Sequence, residues 1–279
     1  MGALKTRDEI ALMRRAGKIT AGALQAVCEA AQPGVTLTQL DKLAHTYITD
    51  HGATPNFLGY MGYPATFCMS VNDVVVHGIP SDTPLQAGDI VSFDGGCLIR
   101  EDGREWHSDS ARTVIVGGEA QAPRRWSELN RLTQEAMWVG IAKMAFAKKV
   151  GQIGAAIEDL VSLRGEDLDW DPQLLEGYSG HGIGNSMHED PEVYNYRVNG
   201  RSAKLKPGMV LCIEPMLVIG DATVRELDDG WTVKTVSGNA AAHWEHTVAL
   251  LPEGIAVLTA ENGGVAELAE YGVMPVLLD

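Results

Sequence analysis

"GDIVSFD", residues 88–94, finds an echo in "GMVLCIE", residues 208–214. Each begins at a glycine, runs through strand-forming apolar residues and stops on a carboxylate, Asp94 in one and Glu214 in the other. Two more matches keep the same order along the chain: "HGI" at 77–79 with "HGI" at 181–183, and "HSD" ending at Asp109 with "HWE" ending at Glu245. A carboxylate thus stands opposite a carboxylate twice. The pattern implies two related halves, roughly residues 1–120 and 121–260, within one domain spanning 1–279. A shared site is expected at their junction, where pockets commonly form.

The surrounding periodicity predicts an α/β fold. Thr6 with Glu9 makes a capping box, and apolar residues at helical spacing run to Ala31 before Pro33-Gly34 stops them. A second helix is expected from about Thr36 to Asp50, closed by Gly52. Alternating apolar segments fill 65–116, helical patterns occupy 125–150 and 152–164, and strand-like patterns return at 202–219 and 231–251.

Composition narrows the function. A formal charge of −15 excludes a dedicated nucleic-acid binder, which needs a basic footprint to displace counterions, and leaves peptides or small molecules as the better substrates. One local exception, Arg197, Arg201, Lys204 and Lys206, is either a docking point for an anionic partner such as ribosomal RNA or a solvated loop. The cysteines, Cys28, Cys68, Cys97 and Cys212, are scattered, which fits a reducing compartment. No signal-peptide core and no apolar stretch of membrane-spanning length are present, so a cytoplasmic protein is expected. The start "MGALKT" matches a short myristoylation pattern that nothing else in the chain supports.

Asp94 and Asp109 belong to a predicted β-hairpin. With Asp102-Gly103 as the tight turn they are near-opposite, or directly opposite if Gly95-Gly96 forms a bulge, and lie roughly 5 to 8 Å apart. Four convergent carboxylates repel one another unless cations neutralise them, and a dinuclear metal centre removes that conflict. The plain alternative is that each acid is paired with a base such as Arg104, Arg112 or Lys234. "GHGIGNSMHEDP", residues 180–191, adds His181 and His188 on a glycine-rich loop, as ligands, as an acid/base pair or as ordinary loop histidines. Oxygen-rich ligation with one imidazole suits Mn²⁺, Fe²⁺ or Co²⁺, with Zn²⁺ also open.

Taken together, "GYPATFCMSVNDVVVHGIP", "GDIVSFDGG", "WHSDSART", "GHGIGNSMHEDP", "KPGMVLCIEPM" and "DGWTVKT...HWEHTV" resemble the type I methionine aminopeptidases, metalloenzymes of the pita-bread fold. The resemblance runs from about residue 7 to 258 and implies an antiparallel sheet with helices outside and a metal site between pseudo-symmetric halves. It implies that Asp94, Asp109, His181, Glu214 and Glu245 bind two divalent metals, with Asp109 and Glu245 bridging. Glu214 would also shuttle a proton, His77 would hydrogen-bond the substrate near the scissile amide, and His188 would contact the scissile carbonyl. Tyr60, Tyr63, Cys68 and Trp231, with Phe57 on the same wall, would take the methionine side chain. The implied activity is release of the first methionine from nascent chains with a small second residue; a cytoplasmic monomer is expected, with the ribosome a further partner if the 197–206 cluster docks there rather than being a solvated loop.

Met61 and Met187 depart from the family where histidine and an aromatic are common, and both are expected near the pocket. Two loops, around "REDGRE" and "RGEDLDWDPQLLEGY" (164–178), are long for the family and are expected to touch no ligand. Proline-directed relatives share the fold but normally carry a large extra amino-terminal domain, for which the residues before the first helix leave no room. Type II enzymes have a helical insertion that the 26-residue step from His188 to Glu214 cannot hold. Non-catalytic relatives lose metal ligands, and here all five positions are filled.

Overall fold

The computed structural model describes residues 3–278; Gly2, on which the myristoylation pattern rests, lies outside them. Helix α1 (Arg7–Ala30) starts at Thr6, whose hydroxyl accepts from Glu9 N while the Glu9 carboxylate accepts from Thr6 N. Helix α2 (Leu37–Asp50) repeats the device with Thr36 and Gln39. Arg14, on the buried side of α1, donates to the Leu258 and Ala260 carbonyls at 2.7 Å each and to Glu261 O at 3.0 Å. Gly17 lets the helix backbone press against the Leu258 carbonyl, a space any Cβ would fill.

Helix α3 (Arg124–Met144) ends six residues short of the expected boundary. Tertiary pairing overrides the helical pattern there: Val150 N donates to Ala203 O and Leu205 N to Lys148 O, while the Gln152 side chain accepts from Lys148 N and Lys149 N. The backbone groups that a longer helix would use are already satisfied. Helix α4 (Gly151–Gly165) follows at once. A short helix α5 (Val265–Ala269) closes the chain, and no helix among the described residues is long and apolar enough to cross a membrane.

All the strands pair antiparallel. The central sheet runs Thr54–Pro55, Ile90–Glu101, Arg104–Ile115, Glu245–Leu251, Val210–Ile213, Gly180–Gly182, Glu189–Val193, with Cys68–Val71 and Gly254–Val257 paired alongside. Two three-stranded sheets flank it. One apolar core gathers Met13, Leu24, Leu40, Phe67 and Phe93 under α1 and α2, and a second gathers Leu129, Met137, Ile157, Ile213 and Val248 under α3 and α4. The two central strands, Arg104–Ile115 and Glu245–Leu251, meet between these cores. The result is the expected mixed fold, a curled antiparallel sheet with helices packed outside it.

The hairpin turns at Asp102 and Gly103, both at positive φ (50° and 72°), as the two-residue turn requires. Its register is unbroken from Ile90↔Ile115 to Glu101↔Arg104, so no bulge forms at Gly95-Gly96. Asp109 therefore faces Gly96, and Asp94 faces Ala111. The two aspartates are diagonal neighbours on one face rather than directly opposite.

Candidate metal centre and substrate cleft

Register alone carries the carboxylates together. Cys68 pairs with Asp94, Asp94 with Ala111, and Ala111 with Glu245, so these four stand in a row across four strands. Asp109 sits on the same face because side chains two residues apart on a strand point the same way. On the next strand His246 pairs with Ile213, which brings Glu214, just past that strand's end at Ile213, beside Glu245. His181 enters from the adjoining strand, where Gly182 pairs with Leu211. The opposite face of the same strands carries Ser110 and His246, which bond to one another, with His246 also bonded to Thr259, and takes no part.

Donor atoms of Asp94, Asp109 and Glu245 lie within 4.8 Å of one another, and so do those of Glu214, His243 and Glu245, and of His181, Cys212 and Glu245. Glu245 belongs to all three groups. His181 Nε2 is 3.5 Å from Glu214 Oε1, and its Nδ1 lies 2.9 Å from the Gly182 carbonyl, which fixes the proton on Nδ1 and leaves the Nε2 lone pair for a ligand.

The electrostatics are those of a cation site. Burial raises the Asp94 carboxyl to about 6, partly offset by His243. Burial, then the neighbouring carboxylates, raises Asp109, Glu214 and Glu245 well above the usual range. Asp94 Oδ1, Glu214 Oε1 and Glu245 Oε1 are buried without a hydrogen-bond partner. Buried carboxylate oxygens with no donor, crowded within a few ångströms, fit divalent cations and fit little else. None of these four acids takes Arg104, Arg112 or Lys234 as a partner; Arg104 pairs with Glu9 and Lys234 with Asp73.

The predicted substrate residues line the same cleft of about 90 Å³ as the five proposed ligands: Phe57, Tyr60, Tyr63, Cys68, His77, His188 and Trp231. Tyr63 meets Phe57 and Trp231 edge-on, at 6.4 and 5.1 Å between ring centres, and its hydroxyl donates to Gly78 O at 2.8 Å. His77 packs against Trp231, and burial lowers its pKa to about 4, with His243 and His188 adding to the effect. His181 is lowered to about 3 by burial and then by His188. Both imidazoles are neutral at neutral pH. His188 lies 4.3 Å from the His181 ring centre, and its Nδ1 is 3.0 Å from Tyr60 OH. With the Tyr60 hydroxyl donating a hydrogen bond to Nδ1, Nε2–H is left as a donor.

Three expectations need correction or addition. Met61 is 82% exposed and does not line the cleft: its own φ of 49°, between Gly59 at 86° and Gly62 at 91°, turns it outward. Met187 does line it. The 164–178 stretch is not a single loop: it holds the end of α4 and the strand Pro172–Leu174, and it brings Tyr178 edge-on to His77 at 5.9 Å. His243 escaped the sequence reading. It is buried with Nε2 unpartnered, 3.6 Å from Glu214 Oε2, and the only signal for it was its place at the head of the "HWE" echo.

Comparison with known proteins agrees with this geometry. The model of metallopeptidase family M24 matches residues 11–251. A methionine aminopeptidase of Clostridium perfringens is 44% identical over 92% of this chain and 98% of its own length. Methionine aminopeptidase 1 of Mycobacterium tuberculosis is 44% identical over 91% and 94%. The crystal structure of methionine aminopeptidase from Rickettsia prowazekii superposes with a TM-score of 0.85 at 35% identity, covering 93% of this chain and all of that one. A prolidase from Pyrococcus furiosus, at 22% identity and a TM-score of 0.69, shares the pita-bread fold alone. The chain belongs to metallopeptidase family M24 and, within it, to the methionine aminopeptidases.

Proposed function

We infer that this chain hydrolyses the N-terminal methionine from nascent peptides, as a metal-dependent aminopeptidase whose single catalytic unit is built from two related halves. The observation that carries the reading is the cleft in which four buried carboxylates and His181 face an aromatic wall. Asp94, Asp109, His181, Glu214 and Glu245 would hold two divalent ions, with Asp109 and Glu245 shared between them. Sharing of Glu245 among the donor groups supports that count, and the donor set suits Mn²⁺, Fe²⁺, Co²⁺ or Zn²⁺. Such ions, when bound, supply hydroxide at neutral pH and polarise the scissile carbonyl.

The protein's own groups do the rest. Phe57, Tyr60, Tyr63, Cys68 and Trp231 take the thioether side chain, for which aromatic faces and a thiol are suitable neighbours. Glu214 accepts the proton released by the attacking water and passes it to the leaving amine. His77 and His188, both neutral donors, stabilise the tetrahedral oxyanion. Substrates have a small second residue, in keeping with the small volume of the cleft, about 90 Å³.

The working site is the cytoplasm, where nascent chains emerge, and the enzyme acts there as a monomer. Ribosomal docking is supported by the spatial meeting of Lys148 and Lys149 with Lys204, which adds two exposed cations to the 201–206 group. Arg197 contributes less, being paired with Glu158 and Asp159. The test of the site is a pair of variants: Asp109→Ala or Glu245→Ala abolishes metal binding and turnover together, while His188→Ala keeps the metal and lowers kcat. An Asp109→Ala enzyme that retains both metal and turnover refutes the ligand assignment.

A further inference from the structure

We propose that Lys5 is a positioning residue for His188, reaching it through Glu189 from the far end of the chain; this rests on the role given to His188 above. Lys5 is only 7% exposed, an unusual place for a lysine, and its ammonium pairs with Glu189 Oε2. Its backbone is fixed by Lys5 N donating to Gly208 O at 2.8 Å. The other Glu189 oxygen accepts from Asn185 N at 2.8 Å and from Ser186 N at 3.4 Å. One carboxylate therefore ties the start of the chain to the loop 184–188, at whose end His188 enters the cleft.

The same loop is held on its other side by the hairpin, through His107 N to Gly184 O at 3.0 Å and Asn185 Nδ2 to Glu105 O at 2.7 Å. Gly184 completes the arrangement, since a Cβ there would occupy the space of the Lys5 side chain and of Glu189 Oε1. These contacts fix the loop, whereas the His188 side chain itself meets Tyr60 and the His181 ring. Loss of the Lys5 charge leaves Glu189 without its buried partner, so the carboxylate turns to water and releases the two amides. His188 then samples positions away from the carbonyl it serves, and misplacement on the scale of an ångström costs up to about 100-fold in rate.

The test is a comparison of Lys5→Met, which keeps the length and the apolar stem, with Glu189→Gln, which keeps the amide-accepting oxygen, each in wild-type and His188→Ala backgrounds, with metal loaded. The expected result is a fall in kcat of about 10- to 100-fold for Lys5→Met, with unchanged metal affinity. The amides of Asn185 and Ser186 exchange hydrogen faster, and the rate effect shrinks to less than about twofold once His188 is alanine. A Lys5→Met enzyme with wild-type kcat overturns the proposal, as does one whose loss persists in full in the His188→Ala background. Should Lys5→Met not fold, Glu189→Ala, which removes the tie to both amides, decides by the same two criteria in the same two backgrounds. A His188→Ala enzyme with full kcat instead removes the role of His188 itself, and the proposal with it.

Discussion

Replacing Asp94 with asparagine stabilises the metal-free protein while it abolishes metal binding. A carboxyl raised from an ordinary 3.8 to about 6 carries a folding penalty of about 3 kcal/mol once it is ionised at neutral pH. The sign follows from proton counting. Between about pH 4 and 6 the folded protein holds a proton that the unfolded chain has released, so this group's contribution is lost as pH rises through that window. His77, His181 and His246 act in the opposite sense, because their lowered pKa values favour the folded state as pH rises towards 6.5. Those contributions are common to both proteins and cancel in the difference. The variant's advantage in chelator is thus near zero at pH 4 and reaches about 3 kcal/mol above pH 6.5. It grows further because the Asp94 charge also raises Asp109, Glu214 and Glu245. With an unfolding entropy of about 0.6 kcal/mol/K for 279 residues, 3 kcal/mol is a rise of about 5 °C in Tm. Thermal melts of both proteins in chelator from pH 4 to 8 measure it, and metal at 100 times its Kd offsets most of it by adding about 2.7 kcal/mol to the wild type alone. An Asp94→Asn protein that melts at or below the wild type throughout the range in chelator refutes the reasoning.

Trp231→Ala opens the wall shared with Tyr63 and His77, and steady-state kinetics are expected to show KM for a Met-Ala peptide rising about tenfold or more with metal affinity unchanged. Arg14→Met strands the carbonyls of Leu258, Ala260 and Glu261, and costs about 3 kcal/mol, read as a Tm lower by about 5 °C. Gly95→Ala drives a methyl group into the Phe67 ring, which is fully buried behind the ligand row; calorimetry is expected to show a loss of about 1 to 3 kcal/mol, with metal affinity weakened as Asp94 shifts.

Much of this architecture was legible because local chemistry and tertiary structure agree. Thr6 and Glu9 cap a helix by contacts three residues apart, and Asp102-Gly103 accept the positive φ that sets the hairpin register. That register then delivers Asp94 and Asp109 to one face. The rest depended on contacts between distant segments. The helical pattern read as far as residue 150 yields to pairing with Ala203 and Leu205, which periodicity cannot register. His243 comes beside Glu214 as Ala241–His243 pairs with Met216–Ile219, a long-range contact of which the "HWE" echo is the one local trace. Met61 points outward because two flanking glycines bend the loop, although the same residues place Tyr60 against His188. Lys5 looks like one more surface charge until the fold buries it beside Glu189.

The central claim is metal-dependent removal of methionine, and the most direct measurement of it is mass spectrometry of a peptide mixture beginning Met-Ala, Met-Lys and Ala-Pro, incubated with the purified protein. Samples carry Mn²⁺ or Co²⁺, with chelator as the control. The account predicts loss of methionine from the Met-Ala peptides alone, and none in chelator. Cleavage before proline, loss of methionine in chelator, or no cleavage with any divalent metal contradicts it.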